Sequence, residues 1–378
     1  MKKTILFLFL LILLSSCTRN KNKKDLYTYF QESIDSIYNA NHDAKGIMVH
    51  IESPNNDISW SWASGYSDFT NKKVIEADQP ALIASNTKTY VSAAILRLVE
   101  MGKIKLNQSI KNILTQKTKA LFISDGYDLD SIKVVNLMSH TSGIYDYWDD
   151  KYVDFVNANK KHRWTRDEQF QLAVTVGDPI AKAGETFSYA DINYLLLTEI
   201  IEVITNKPFY KAIRELLRYK ELGLNNTWFV TLEKIPNNSK PLVHQYFEKY
   251  NWDSYNLDPS WDLYGGGGIA SNTCDLARFY YDLFNMKIVK NTSVLNQIFT
   301  HIVTQDTVQN HYHLGLSEYE YNGIKGFGHD GYWGTVAVYF PKLKTSIAVF
   351  VLEKEKSYLS RKIIEQIIDI IKPMIGHS

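Results

Sequence analysis

The sequence predicts a mixed α/β (α+β) protein: one antiparallel sheet built from both ends of the chain, flanked by helices and interrupted by a large, mainly helical insertion. Three observations lead there. Strand-like segments occur early, at Gly46 to Ile51 (GIMVHI) and Ile58 to Tyr66 (ISWSWASGY). They return only late, at Gly334 to Phe340 (GTVAVYF) and Thr345 to Leu352 (TSIAVFVL). Between about Ala84 and the 290s the chain reads as helix and loop. Strands at both ends with helices between them form a sheet lobe and an inserted helical lobe, roughly 84–300, with a cleft between the lobes as the natural site.

The first residues bear on location. MKKTILFLFLLILLSSC places Lys2 and Lys3 before an apolar run from Ile5 to Leu14, then small residues before Cys17. The run is too short to span a bilayer and reads as a signal peptide, 1–16. Leu14-Ser15-Ser16-Cys17 resembles the lipobox of bacterial lipoproteins. The resemblance implies that Cys17 becomes a lipidated first residue; an ordinary cleaved signal peptide is the alternative. Residues 17–24 are polar and basic and suit a short tether. The expected location is the bacterial cell envelope, lipid-anchored to a membrane and facing the periplasm or exterior. The only other cysteine is Cys274. With Cys17 lipidated no intrachain disulfide can form, and Cys274 reads as a small buried residue.

The remaining chain, 25–378, reads as the working domain. Its elements follow from local signals. Asp25 to Tyr38 is amphipathic and helical. Ser53-Pro54-Asn55-Asn56-Asp57 is a turn between the first two strands. Val91, Ala94, Ile95, Leu98 and Val99 recur at i, i+3, i+4, i+7 and i+8, the stripe of a buried helix, and Gly102 stops it. Asn272 caps a helix holding Asp275, Leu276 and Phe279. Pro341 to Lys344 is a hairpin turn, and a final amphipathic helix spans about Ser360 to Ile371. The formal charge of +1 gives no electrostatic case for nucleic acid. Hydrophobic content of 45% and charged content of 22% are those of a globular protein.

The chemistry is concentrated at Ser85-Asn86-Thr87-Lys88. Ser85 lies at the first turn of the buried helix, and Lys88, three residues on, returns to nearly the same face. A lysine there can activate a serine hydroxyl, and the free N–H groups of a helix start favour developing negative charge. The pattern occurs often by chance, so on its own it reads as an N-cap serine followed by a surface lysine.

Four further stretches change the balance: LMSHTSGI (Leu137 to Ile144), GETFSYADINYLLL (Gly184 to Leu197), GGGGIASNTCDL (Gly265 to Leu276) and GHDGYWG (Gly328 to Gly334). With Ser85-Lys88 they resemble the serine β-lactamase and penicillin-binding protein superfamily, nearest the branch of class C β-lactamases, D-alanyl-D-alanine carboxypeptidases, D-aminopeptidases and related esterases. The resemblance covers about Gly46 to Leu352 and implies a β-lactamase-like fold. It implies Ser85 as acylated nucleophile, Lys88 as its base partner and Tyr189 as a general base or acid whose phenolate a lysine can stabilise. Asp191 stands where many members have asparagine, which bears on recognition of a substrate carbonyl. His329-Asp330-Gly331 stands where β-lactamases have Lys-Thr-Gly. The backbone N–H groups of Ser85 and Tyr332 take the place of the oxyanion hole. His140 reads as a structural, hydrogen-bonded residue, and Gly265 to Gly268 as close packing behind the site. His311 and His313 have ligand-like spacing without a third ligand, so no metal or other cofactor is expected.

The function so implied is a membrane-tethered serine hydrolase acting on an ester, amide or peptide of small size, with no nucleic-acid partner. Two alternatives stand beside it: a D-alanyl-D-alanine carboxypeptidase or β-lactamase, and a non-catalytic binder or sensor of the same fold. His329 and Asp330, replacing a lysine and a threonine, tilt the expectation away from carboxylate-bearing substrates.

Overall fold

The computed structural model describes residues 24–305 and 311–375. Cys17 and the signal and tether segments before residue 24 lie outside the described residues. A seven-stranded antiparallel sheet is the frame. Its strands are β1 (Gly46–Ser53), β2 (Ile58–Asp68), β3 (Lys73–Val74), β4 (Ser317–Tyr321), β5 (Ile324–Gly331), β6 (Thr335–Phe340) and β7 (Thr345–Val351). Their spatial order is β3-β2-β1-β7-β6-β5-β4. The two chain ends meet at β1 and β7, where Ile47 pairs with Val351 and Ile51 with Ile347.

β1 and β7 are apolar along their length because both faces are covered, and the two-residue period of a strand divides their side chains. Ile47, Val49, Ile51, Ile347, Val349 and Val351 enter one core with the amino-terminal helix (24–39) and the carboxy-terminal helix (Leu359–Ile375). Met48, Ala348 and Phe350 face the other core, shared with the helical lobe. There the nucleophile helix, Thr87–Glu100, is buried along most of its length and ends before Gly102, at φ +67°. Beside it run the helices Asp191–Thr205 and Thr273–Phe284.

The sheet built from both ends, the flanking helices and the helical region are as the sequence predicts. The differences are local. β5 and β4, at the outer part of the sheet, were not among the predicted strands; in β5 the alternation is broken by Gly326, Gly328 and Gly331 in IKGFGHDG. Within the helical region, Ala81–Leu82, Ile269–Ser271 and Trp228–Phe229 form a small three-stranded sheet. Strands of two or three residues carry no period to read. The last helix runs to Ile375, beyond Ile371 and through Pro373. Asn272 caps Thr273–Phe284 by accepting from the Asp275 N–H at 2.8 Å, as predicted. Cys274 is half-buried rather than a core residue, and burial pushes its thiol up to about 11. Among the described residues no helix is long and apolar enough to cross a membrane.

The contribution of the second core can be measured. Ile364 is fully buried between the carboxy-terminal helix and the sheet. Ile364→Ala is expected to cost about 2–5 kcal/mol in urea unfolding. Tyr358→Ala, at a side chain 60% exposed, should stay within about 0.5 kcal/mol of the parent.

Candidate active site

Ser85 sits in a single 3-10 turn, Ala84–Asn86, that runs directly into the nucleophile helix. The preceding Ala84 is held at φ +45°, a left-handed conformation that an alanine seldom adopts and that the surroundings must enforce. They do so through a small polar lattice. Thr335 Oγ1 donates to the Ile83 carbonyl at 3.0 Å, and Asn86 Nδ2 donates to Thr335 Oγ1 and to the same carbonyl, each at 3.2 Å. The turn is thereby fastened to β6 at the β5 end of the sheet. A Cβ on Gly331 would lie 2.3 Å from the Ile83 carbonyl oxygen, so only glycine lets β5 pass this close to the nucleophile turn.

Lys88 is completely buried. Its Nζ donates to Ser85 Oγ at 3.0 Å and to the Gly266 carbonyl at 2.6 Å, and lies 2.6 Å from Asp191 Oδ1. The Asp191 contact is a charge contact whose direction falls outside hydrogen-bond geometry. Two hydrogen-bonded acceptors and one carboxylate in charge contact thus surround Nζ. Asp191 stands on the first turn of its helix, and the absent side chain of Gly266 makes room for it. Asp191 lines the cleft where the sequence places it, and its carboxylate is also in contact with Lys88.

Tyr189 exposes 40% of its surface to the cleft, while its hydroxyl end is desolvated and hydrogen-bonded to Ser85. Burial, and then the Asp191 charge, raise the phenol well above its ordinary value. Lys88 Nζ faces the Tyr189 ring, 4.9 Å from its centroid. Lys88 meets the ring face, and desolvation and the Asp191 charge favour the protonated phenol at rest.

The imidazole of His140 packs 4.2 Å from the Tyr189 ring, with His140 itself at φ +57°. Its Nδ1 accepts from the Ala190 N–H at 3.1 Å, which assigns the proton to Nε2. Burial and the Lys88 charge hold His140 well below its ordinary value, so it is neutral. It is hydrogen-bonded as predicted, but only through Nδ1; Nε2 has no partner among the described residues. His329 points inward from β5. Nδ1 lies 2.6 Å from the Asp330 carbonyl and so donates, leaving Nε2 to accept from Tyr312 Oη at 3.1 Å. Burial depresses His329 to about 4, so it carries no charge near neutrality. Asp330 lines the cleft mouth and accepts from Tyr319 Oη at 2.8 Å. The N–H groups of Ser85 and Tyr332 donate to no protein acceptor among the described residues, and both residues line the same cleft of about 700 Å³.

Three cleft residues carry no sequence signal. Asp146 lies just past the HTSG stretch and accepts from the Ile192 N–H at 3.3 Å. Burial and Asp191 raise it to about 7. Asp262 lies just before the glycine run, and burial and Asp191 raise it to about 8. Lys354, after β7, donates to the Tyr332 carbonyl at 3.0 Å and sits 3.5 Å over the Tyr332 ring. Desolvation lowers it to about 8. His311 lines the cleft, while His313 Nδ1 bonds to the Phe299 carbonyl at 3.0 Å. Among the described residues no cluster of His, Cys, Asp and Glu is arranged to hold a metal.

A model of the beta-lactamase family matches residues 36–362. The chain belongs to that family. As a beta-lactamase-family protein it is a serine hydrolase, and its fold has solved counterparts. It superposes on the D-amino acid amidase of Ochrobactrum anthropi SV3, solved with L-phenylalanine amide, with a TM-score of 0.75 at 20% identity over 93% of this chain and 99% of that one. In sequence it is 26% identical to an N-acetylmuramyl-L-alanine amidase of Bacillus subtilis (strain 168), over 72% of this chain and 67% of the relative. It is also 26% identical to protein flp of Staphylococcus aureus (strain COL), over 64% of this chain but only 43% of that protein, so it spans less than half of that relative's length.

The raised carboxyl of Asp262 makes a signed prediction. Its folded pKa of about 8 lies above the unfolded value of about 3.9. The folded state therefore holds the proton while the unfolded state releases it. The cost to stability is absent below about pH 4, grows as pH rises, and is complete above about pH 8. Asp262→Asn removes the cost, so the melting temperature of the variant minus that of the parent should be larger at pH 8 than at pH 5. A difference independent of pH would refute the buried, proton-retaining carboxyl.

Proposed function

We propose that the protein is a membrane-tethered serine hydrolase working through an acyl-serine intermediate on an ester, amide or peptide bond. The observation that carries this reading is the Ser85 hydroxyl at a cleft, hydrogen-bonded by both a buried lysine and a neutral buried phenol. In this reading the Lys88–Asp191 pair takes the proton of Ser85 as Oγ attacks the carbonyl. The N–H groups of Ser85 and Tyr332 receive the oxyanion. Tyr189 donates its proton to the leaving group. Water then restores that proton to Tyr189 as it attacks the acyl-enzyme, and Ser85 leaves by recovering its own from the Lys88–Asp191 pair.

Asp330 at the cleft mouth, and a neutral His329 behind it, favour neutral or cationic substrates over carboxylate-bearing ones. That supports ranking esters and amides above β-lactams and D-alanyl-D-alanine peptides. The intact Ser85–Lys88–Tyr189 arrangement speaks against a binder or sensor.

A fluorophosphonate probe should add its mass to the wild type and not to Ser85→Ala in intact-protein mass spectrometry. Across p-nitrophenyl esters, amino-acid amides, D-Ala-D-Ala peptides and nitrocefin, Tyr189→Phe should lower turnover by about 10²–10⁴-fold. Probe labelling that survives in Ser85→Ala, or near-normal turnover in Tyr189→Phe, defeats the mechanism.

The tether belongs to the same proposal and rests on the lipobox-like Leu14-Ser15-Ser16-Cys17. Wild-type protein should partition with membranes, and Cys17→Ala should be released or remain uncleaved. Soluble wild-type protein beginning at another residue refutes it.

A further inference from the structure

Arg218, in the helical lobe, presents a guanidinium that the fold leaves uncommitted. It follows the helix Phe209–Leu216 at φ +53°, a left-handed position that favours glycine and strains an arginine. Among the described residues its side chain makes no hydrogen bond and no ion pair, and its Nε is sealed from water without a partner. A second cation stands near it. Burial, and then the Arg218 charge, lower Arg97 from its ordinary value, although Arg97 is paired with Glu100. A buried donor with no acceptor is costly, and so is a strained backbone at a residue that is not glycine. Both costs fall on one residue, and neither is offset by a contact within the chain.

Arg218 lines a cavity of about 670 Å³ that shares no residue with the catalytic cleft. Tyr219 lines it too. It is 2% exposed, and its hydroxyl is likewise without a partner among the described residues. Its ring is held between Arg214, whose guanidinium lies 4.7 Å from the centroid, and Tyr90 of the nucleophile helix, edge-on at 6.1 Å. Burial raises the phenol, so the hydroxyl keeps its proton and remains a donor. Lys220 and Lys234 are exposed along the same cavity. Its acids are largely spent. Glu215 pairs with Lys207, and Glu233 accepts from Arg214 Nε and from the Phe229 N–H, each at 2.7 Å. The remaining acid, Glu221, is exposed to water. The enclosed groups are thus donors that lack an acceptor, and an oxyanion supplies one.

We propose that Arg218 and Tyr219 form a binding site, separate from the catalytic cleft, for a small ligand carrying an oxyanion, either a phosphoryl or a carboxylate group. Arg214, Lys220 and Lys234 add positive charge around it. A guanidinium recognises both kinds of oxyanion through paired N–H groups, and a cavity of this volume suits a small molecule. The site does not depend on which bond Ser85 attacks.

Thermal unfolding of the full chain in increasing inorganic phosphate, and separately in increasing succinate, measures it. A ligand that binds the folded state raises the melting temperature along a saturable curve that yields its dissociation constant. Sodium chloride at matched ionic strength accounts for general screening. At least one of the two anions should give a saturable rise that sodium chloride does not, and the tighter of the two names the oxyanion. The decisive variant is Arg218→Gly. Glycine adopts φ +53° without strain, so the variant should fold and show a cooperative transition without ligand. Loss of a charge-assisted hydrogen bond should weaken its binding by about 10–100-fold. No saturable rise with either anion, a rise that sodium chloride reproduces, or a dissociation constant unchanged in Arg218→Gly overturns the proposal.

Discussion

A lysine ammonium with no exposure to water organises this protein. Lys88 is charged inside the core, and each of its three neighbours is held there for its sake: Asp191 supplies the countercharge, Gly266 a carbonyl, Ser85 a hydroxyl. A buried ion pair adds little net stability, but removing one partner leaves an uncompensated charge at a cost of about 3–5 kcal/mol. The three partners come from the helix start, from the first turn of Asp191–Thr205 and from the glycine run. One charge therefore fixes the relative placement of three segments far apart in sequence.

Around that charge the fold arranges groups that cannot all be ionised together. Asp146, Asp191 and Asp262 face one another in a desolvated floor, and the two without a lysine at contact are raised to about 7 and about 8. Tyr189 is kept protonated and His140 and His329 are kept neutral by the same dryness. The result is a cleft with one fixed positive centre and several latent acids, rather than a set of independent titrating residues. Two of the residues held in the left-handed region, Ala84 and His140, lie at the same place.

The frame was legible because it depends on patterns with a period. The short apolar runs of β1, β6 and β7 and the stripe from Val91 to Val99 mark the sheet and the nucleophile helix without ambiguity. Ser85, Lys88, Tyr189, His329 and Tyr332 were found through short motifs, and the structure brings them to one cleft. What escaped was whatever lacks a period or a motif. β5 loses its alternation to three glycines, and Trp228–Phe229 is too short to show any. Asp146, Asp262 and Lys354 are isolated charged residues that local sequence cannot tell from surface ones. The contact of Asp191 with Lys88 escaped for a related reason: its position was legible, but which group it meets depends on the side-chain space left by Gly266.

The pairing of β1 with β7 has a consequence for how the chain matures. Ile47 waits for Val351, so β1, already paired with β2, lacks its second neighbour until almost the whole chain has emerged. Long-range pairing of this kind is slow to form, and synthesis delivers the amino-terminal half first. β5 and β6, which press against the nucleophile turn through Gly331 and Thr335, arrive in the same late stretch. Ser85 therefore acquires its strained setting only when the sheet closes, and an incomplete chain has a serine and a lysine but no assembled centre. The topology makes reactivity the last property the molecule gains.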